Sequence, residues 1–132
     1  MTAQENELLL IFNSKKQEDK ELRGYAAALN NYKLNEKDLS KDSITATQIA
    51  EIAQVMRVKV SELVDTSAEQ YQNKMKNGSY SDDDLVHAME NHQDLIKTPI
   101  AFFGTKVFFV QSKFSFHNEG LDVRGIHLKD KA

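Results

Sequence analysis

The sequence predicts an α/β domain on an open sheet, and three observations carry that expectation. A short, unbroken apolar run, Leu8–Phe12, is followed directly by an amphipathic helical pattern. The stretch Pro99–Val110 reads as two apolar strands joined at Gly104-Thr105, and the segment between these landmarks holds helical patterns with legible start signals. A strand–helix–strand opening implies a parallel pair joined by a right-handed crossover, whereas a two-residue connection implies antiparallel pairing.

Leu8–Phe12 is too short for a helix and is apolar at every position, which suits a central strand buried on both faces. From Glu18 to Leu29 the residues Leu22, Tyr25, Ala26 and Leu29 recur at helical spacing, so they are expected inward, with Asp19, Lys20 and Arg23 on the opposite face. Asn30 and Asn31 end that pattern. Lys33–Asp38 is a polar second strand whose apolar residues are Leu34 and, just beyond it, Leu39.

Thr45 with Gln48 forms a capping box ahead of Ile49, Ile52, Ala53 and Met56, which share one helical face. Val58–Val64 continues as a short helix, capped by Ser61 if Val60 serves as its hydrophobic staple, and Ala68–Lys76 gives a further polar helix ended at Gly78. Ser81 with Asp84 is a second capping box. Asp82, Asp83 and Asp84 then occupy a first turn, where the helix dipole favours negative charge, and Leu85, Val86 and Met89 face inward. Glycine at the first central position of the Gly104-Thr105 connection fits a type II′ turn. Phe102, Phe103, Phe108 and Phe109 alternate along its two strands and are expected as core on both faces. In the tail, Phe114, Phe116, Leu121, Val123 and Ile126 supply an apolar face that Gly120 and Gly125 interrupt, so a short helix and a frayed end are expected.

The domain organisation that follows is one domain over residues 1–132. It comprises a first βαβ unit at 6–39, a helical insertion at 43–92, the hairpin at 97–111 and the tail at 112–132. That length can bury a core without metal or disulfide support.

Composition narrows the chemistry. The chain has no cysteine, which removes thiol nucleophiles, disulfide exchange and thiolate metal sites. A net charge of −3 with dispersed lysines offers no basic footprint, so nucleic acid is not expected as a direct partner. The acidic start and the lack of a long apolar run point away from a signal peptide or membrane span, and a cytoplasmic protein is expected. His87 and His92 lie five apart, off the spacing that brings two ligands together, and His117 and His127 converge with nothing; no metal and no cofactor are expected.

The segments IFNSKKQEDKEL, DLSKDSITATQIAEIAQVM, SELVD and LIKTPIAFFGTKVFFV together resemble the arsenate reductase (ArsC) and Spx family. The resemblance covers nearly the whole chain to about Val110. It implies a thioredoxin-like, ArsC-type mixed four-stranded sheet flanked by helices, with a helical insertion between the second and third strands. In that family the first strand ends in Asn-Pro-x-Cys, an arginine follows in the first helix, and the last hairpin opens with Arg-Pro-Ile, its proline cis. By this resemblance Asn13 falls on the asparagine, Ser14 on the proline, Lys16 on the catalytic cysteine, Lys20 near the helix arginine, Thr98 on the second arginine and Pro99 on the cis-proline.

The departures bear on function. Family enzymes reduce arsenate with glutathione and glutaredoxin, or thioredoxin, as reductant. The reaction needs a thiolate to attack arsenic, and an amine at Lys16 cannot replace it. Threonine at 98 also lacks the planar guanidinium fork that suits an oxyanion. The expectation is a cysteine-less ArsC-like protein, inactive as a reductase, with vestigial positions at Asn13, Ser14, Lys16, Lys20, Thr98 and Pro99, acting by binding an unidentified protein partner. The alternatives are an Spx-like regulator that contacts RNA polymerase, and a residual arsenate reductase or glutaredoxin-dependent oxidoreductase using Lys16 or a partner's thiol. The loop Asn13–Lys16 is either a solvated, capped turn or a weak anion site, and Thr98-Pro99 could offer a main-chain edge to an extended peptide.

Overall fold

The computed structural model describes residues 6–29 and 32–121. They form two compact units, one made of the chain up to Lys37 and from Thr98 onward, the other of Asp38–Lys97.

The first unit holds a four-stranded sheet in the order β2-β1-β3-β4, from β1 (Glu7–Phe12), β2 (Lys33–Asp38), β3 (Ile100–Phe103) and β4 (Lys106–Phe109). β1 and β3 are antiparallel, with Leu8 opposite Phe103 and Ile11 opposite Ile100. β3 and β4 are antiparallel through the tight connection, with Phe103 opposite Lys106. β2 starts beside the start of β1, where the Lys33 N–H donates to the Asn6 carbonyl at 2.8 Å and the Asn35 amide bonds the Glu7 carboxylate. The two therefore run in the same direction, and the sheet is mixed. Gly104 has φ +60° and Thr105 has none of the positive φ recorded elsewhere, the pattern of a type II′ turn.

Register sorts the side chains. Leu8, Leu10, Phe12, Ala101, Phe103 and Phe108 share one face, and α1 (Gln17–Ala27) and α4 (Lys113–Asn118) pack their apolar residues against it. Leu22, Ala26 and Leu29 come from the first helix and its exit; Phe116 and Leu121 come from the second and its exit. Each leucine or phenylalanine among them, fully buried, contributes about 1.5–3 kcal/mol through removal of apolar surface from water. Phe116 is fully buried, with its ring edge-on to Phe108 at 6.1 Å between centroids. Ile11, Ile100 and Phe102 are buried on the opposite face, while Phe109 there is half-buried.

Two apolar residues depart from the expected pattern. Tyr25, expected inward, is 41% exposed, because Leu22, Ala26 and Leu29 already complete the buried stripe. Phe114, expected in the tail's apolar face, is 50% exposed: the helix begins at Lys113, with Ser112 capping the Phe114 N–H, and that geometry turns Phe116 inward instead. Asn30, Asn31, Val123, Gly125, Ile126 and His127 lie outside the described residues.

In the second unit, α2 (Ala46–Met56) starts at the reciprocal Thr45/Gln48 box, with bonds of 3.1 and 2.9 Å. α3 (Asp82–Asn91) starts at the equivalent Ser81/Asp84 box. Gln93, after α3, accepts from the Ile44 N–H at 2.9 Å and donates to the Ile44 carbonyl at 3.0 Å, which ties the entry of α2 to the exit of α3. Ile44, Ile49, Leu63, Met89, Leu95 and Ile96 are fully buried here. A single bridge pairs Val64 with Ile96.

Between α2 and α3 the observed elements are shorter than expected. Val60–Leu63 is a 3₁₀ turn that begins after Lys59, not at Ser61, since the Glu62 carboxylate reaches back to the Lys59 N–H at 2.7 Å. The helix expected over Ala68–Lys76 is reduced to two α-helical residues followed by a π-helical turn, Tyr71–Met75.

Candidate functional site

The end of β1 and the start of α1 are joined by a turn folded around Asn13, which is only 3% exposed. The Asn13 side-chain oxygen accepts from the Lys15 N–H at 3.0 Å, and its main-chain carbonyl accepts from the Lys16 N–H at 2.9 Å. An Asx turn of this kind lets a short polar side chain substitute for backbone partners. Lys16 is the residue preceding the helix and makes no capping bond with its side chain. Lys15 and Lys20 are exposed, and Ser14 and Lys16 are half-buried.

The centre of the site is Asp19. Placed by periodicity on the solvent side of α1, it is instead 3% exposed. Its Oδ2 accepts two hydrogen bonds, one from the Asn13 N–H at 2.9 Å and one from the Thr98 hydroxyl at 2.5 Å. One carboxylate oxygen thus links the β1–α1 turn, the first turn of α1 and the residue that opens the last hairpin. Asp19 is the third residue of the helix, where a carboxylate meets the positive end of the dipole and can reach back to a preceding N–H. An aspartate at that distance beyond an Asn-Ser turn was the sequence signal for it. Apolar periodicity masks this signal, because it ranks residues by hydropathy and not by available donors.

The Thr98–Pro99 peptide bond is cis, and Pro99 is buried. The Pro99 carbonyl accepts from the Val110 N–H at 2.9 Å. Thr98 is half-buried, and among the described residues its own main-chain N–H and carbonyl form no hydrogen bond. Of the six positions that sequence resemblance singled out, the structure ties Asn13 and Thr98 together through Asp19; Lys20 points to solvent.

Elsewhere, Arg23 pairs with Glu36 across α1 and β2, with Nη2 to Oε1 at 2.9 Å, and its guanidinium lies 5.9 Å from the centre of the Phe12 ring. The Glu36 hydrogen bond, followed by its charge, raises the Arg23 pKa. His87 is exposed, with Nδ1 2.8 Å from the Asp83 carbonyl. That hydrogen bond first, and the Asp83 charge second, raise its pKa above the ordinary 6.5. His92 is also exposed, and His117 is buried. Among the described residues no three histidine, aspartate or glutamate side chains are grouped to hold a metal ion. No described helix is long and apolar enough to cross a membrane.

No protein-family model matches the sequence, and no curated protein matches it. Solved structures do match. An arsenate reductase from Vibrio cholerae shares 16% identity at a TM-score of 0.75, over 87% of this chain and 98% of that one. A candidate arsenate reductase from Yersinia pestis shares 14% at 0.73, over 84% and 98%. A protein from Bacteroides fragilis described as a candidate ArsC-family relative shares 12% at 0.68, over 85% and 97%. At such identities the likeness establishes the fold: this chain has the ArsC-type thioredoxin-like architecture, a mixed four-stranded sheet flanked by helices, and it carries no cysteine.

Proposed function

We propose that this protein is an ArsC-like scaffold that does not reduce arsenate and that acts by binding an extended protein segment beside Thr98 and Pro99. One observation carries the reading: the β1–α1 turn holds no thiol, and the buried Asp19 carboxyl accepts there from the Asn13 N–H and the Thr98 hydroxyl, joining the turn to the residue that opens the last hairpin. Reductase chemistry at such a turn requires a thiolate, whereas the chain offers no thiol. Asn13, Ser14, Lys16, Lys20, Thr98 and Pro99 are in this reading inherited scaffold positions. The open main-chain donor and acceptor of Thr98 support pairing with an extended strand, which draws affinity from backbone bonds and needs no catalytic group. Exposed Lys15 and Lys20 on the neighbouring turn and helix favour an acidic segment.

The test has two arms. Arsenate reduction with glutathione and glutaredoxin, or with thioredoxin, should not exceed a control without the protein; sustained turnover would end the proposal. A capped peptide of alternating glutamate and valine should shift the Thr98 amide resonance saturably, and in Thr98→Pro, which removes that N–H, binding followed at the Ile100 and Val110 amides should weaken at least about tenfold. An unmoved Thr98 amide would refute the binding half.

A further inference from the structure

The π-helical turn Tyr71–Met75 in the second unit is closed by the Lys76 N–H bonding the Tyr71 carbonyl at 2.9 Å. Such a turn is wider than an α-helical one and is rare; where it persists it commonly re-aims side chains toward a site. Here both of its end residues, Tyr71 and Met75, line a cavity of about 340 Å³. Val64, Met75 and Leu85 supply buried apolar surface, and Ser61 and Thr66 supply hydroxyl-bearing residues to the lining. No lining side chain carries a charge at neutral pH.

Tyr80 forms a further wall, and its position depends on Gly78. A Cβ on Gly78 would overlap the hydroxyl end of the Tyr80 phenol, 2.5 Å from its Cζ, so the ring sits where only glycine leaves room. Tyr80 is 39% exposed, and its hydroxyl makes only a long bond, 3.4 Å, to the Lys74 carbonyl. Tyr80 and Met75 also line a neighbouring open groove that holds Lys74, Asp83 and His87. The tyrosine is thus a lightly held partition between a charged groove and an uncharged cavity.

We propose that this cavity binds a neutral, flat aromatic small molecule bearing one hydrogen-bonding group, with Tyr80 as its movable wall. The volume falls in the range of about 300–1,000 Å³ typical of small-molecule sites, and is about twice that of an engineered cavity able to take benzene. Tyrosine rings and the Met75 thioether are favourable neighbours for an aromatic face. The absence of charge in the lining selects against ions, which would lose their hydration without gaining a partner. The site lies within the second unit and is independent of the binding proposed at Thr98.

Indole is a suitable probe, because the chain has no tryptophan and indole fluorescence can be excited selectively. Emission should shift to the blue and saturate, and amide resonances of Val64, Met75 and Leu85 should move with the same midpoint. Tyr80→Ala and Gly78→Ala, the second of which displaces the ring without removing it, should each weaken binding about tenfold with the fold retained by circular dichroism; the anionic indole-3-acetate should bind about tenfold more weakly than indole. The proposal is overturned if emission does not saturate up to the solubility limit of indole, if the moving resonances lie elsewhere, or if the two variants and the anion bind as tightly.

Discussion

Replacing Asp19 by alanine tests the link on which the site depends. The change leaves the Asn13 N–H without its acceptor in a residue that is 3% exposed, at a cost of about 1–3 kcal/mol for a buried unsatisfied donor. It also removes the Thr98 hydroxyl bond, worth about 1 kcal/mol because Thr98 is half-buried and its hydroxyl can rehydrate. Relief from burying a carboxylate offsets part of this, so a net loss of about 1–3 kcal/mol is expected, or about 4–11 °C in Tm for a chain of this size. Asp19→Asn keeps one carbonyl acceptor and should fall between wild type and alanine. Thr98→Val removes only the hydroxyl and should cost about 1 kcal/mol. Urea and thermal unfolding of the two single variants and of the Asp19→Ala/Thr98→Val double variant form a cycle. The double variant should lose less than the sum of the singles, with a coupling of at least about 0.5 kcal/mol. An Asp19→Ala loss below about 0.5 kcal/mol, or strict additivity, would show that this carboxylate does not join the turn to the last hairpin.

Gly104→Ala should destabilise by about 1–2 kcal/mol, since φ is +60° and an added Cβ meets nothing within 4 Å; the cost is backbone alone, and an unchanged urea midpoint would contradict the turn geometry. His87 should titrate above 6.5 by NMR, and Asp83→Asn should return it only part of the way, because the larger cause is the Asp83 carbonyl and not its charge. Since the folded value is raised, the contribution of His87 to stability is complete below the unfolded value of 6.5 and is lost as pH rises through the folded one. A midpoint at or below 6.5 would refute that assignment.

The fold was legible where a short-range pattern coincides with the tertiary demand. Thr45/Gln48 and Ser81/Asp84 satisfy their own helix ends with local bonds, so the start of α2 and α3 could be read from four residues at a time. Gly104-Thr105 specifies its turn in the same way, since a positive φ is needed at one position only. The segment between α2 and α3 was harder. Val60–Leu63 and Tyr71–Met75 are single turns whose hydrogen-bond spacing, three and five residues rather than four, leaves almost the same hydropathy pattern as an α-helix. Periodicity also put Tyr25 inward and Asp19 outward; in the structure Tyr25 is exposed and Asp19 buried.

By itself the sequence determined the chemistry that this protein lacks, since a chain without cysteine has no thiolate in any conformation, and it determined the strands, caps and turn that rest on contacts a few residues apart. Only the tertiary structure decided what the β1–α1 loop is built around. Asp19 and Thr98 are 79 residues apart in sequence, and the bond between them exists because two separate chain segments bring a donor to a buried acceptor. Burying a carboxylate is unfavourable until such partners arrive, and no local pattern records the arrival of Thr98.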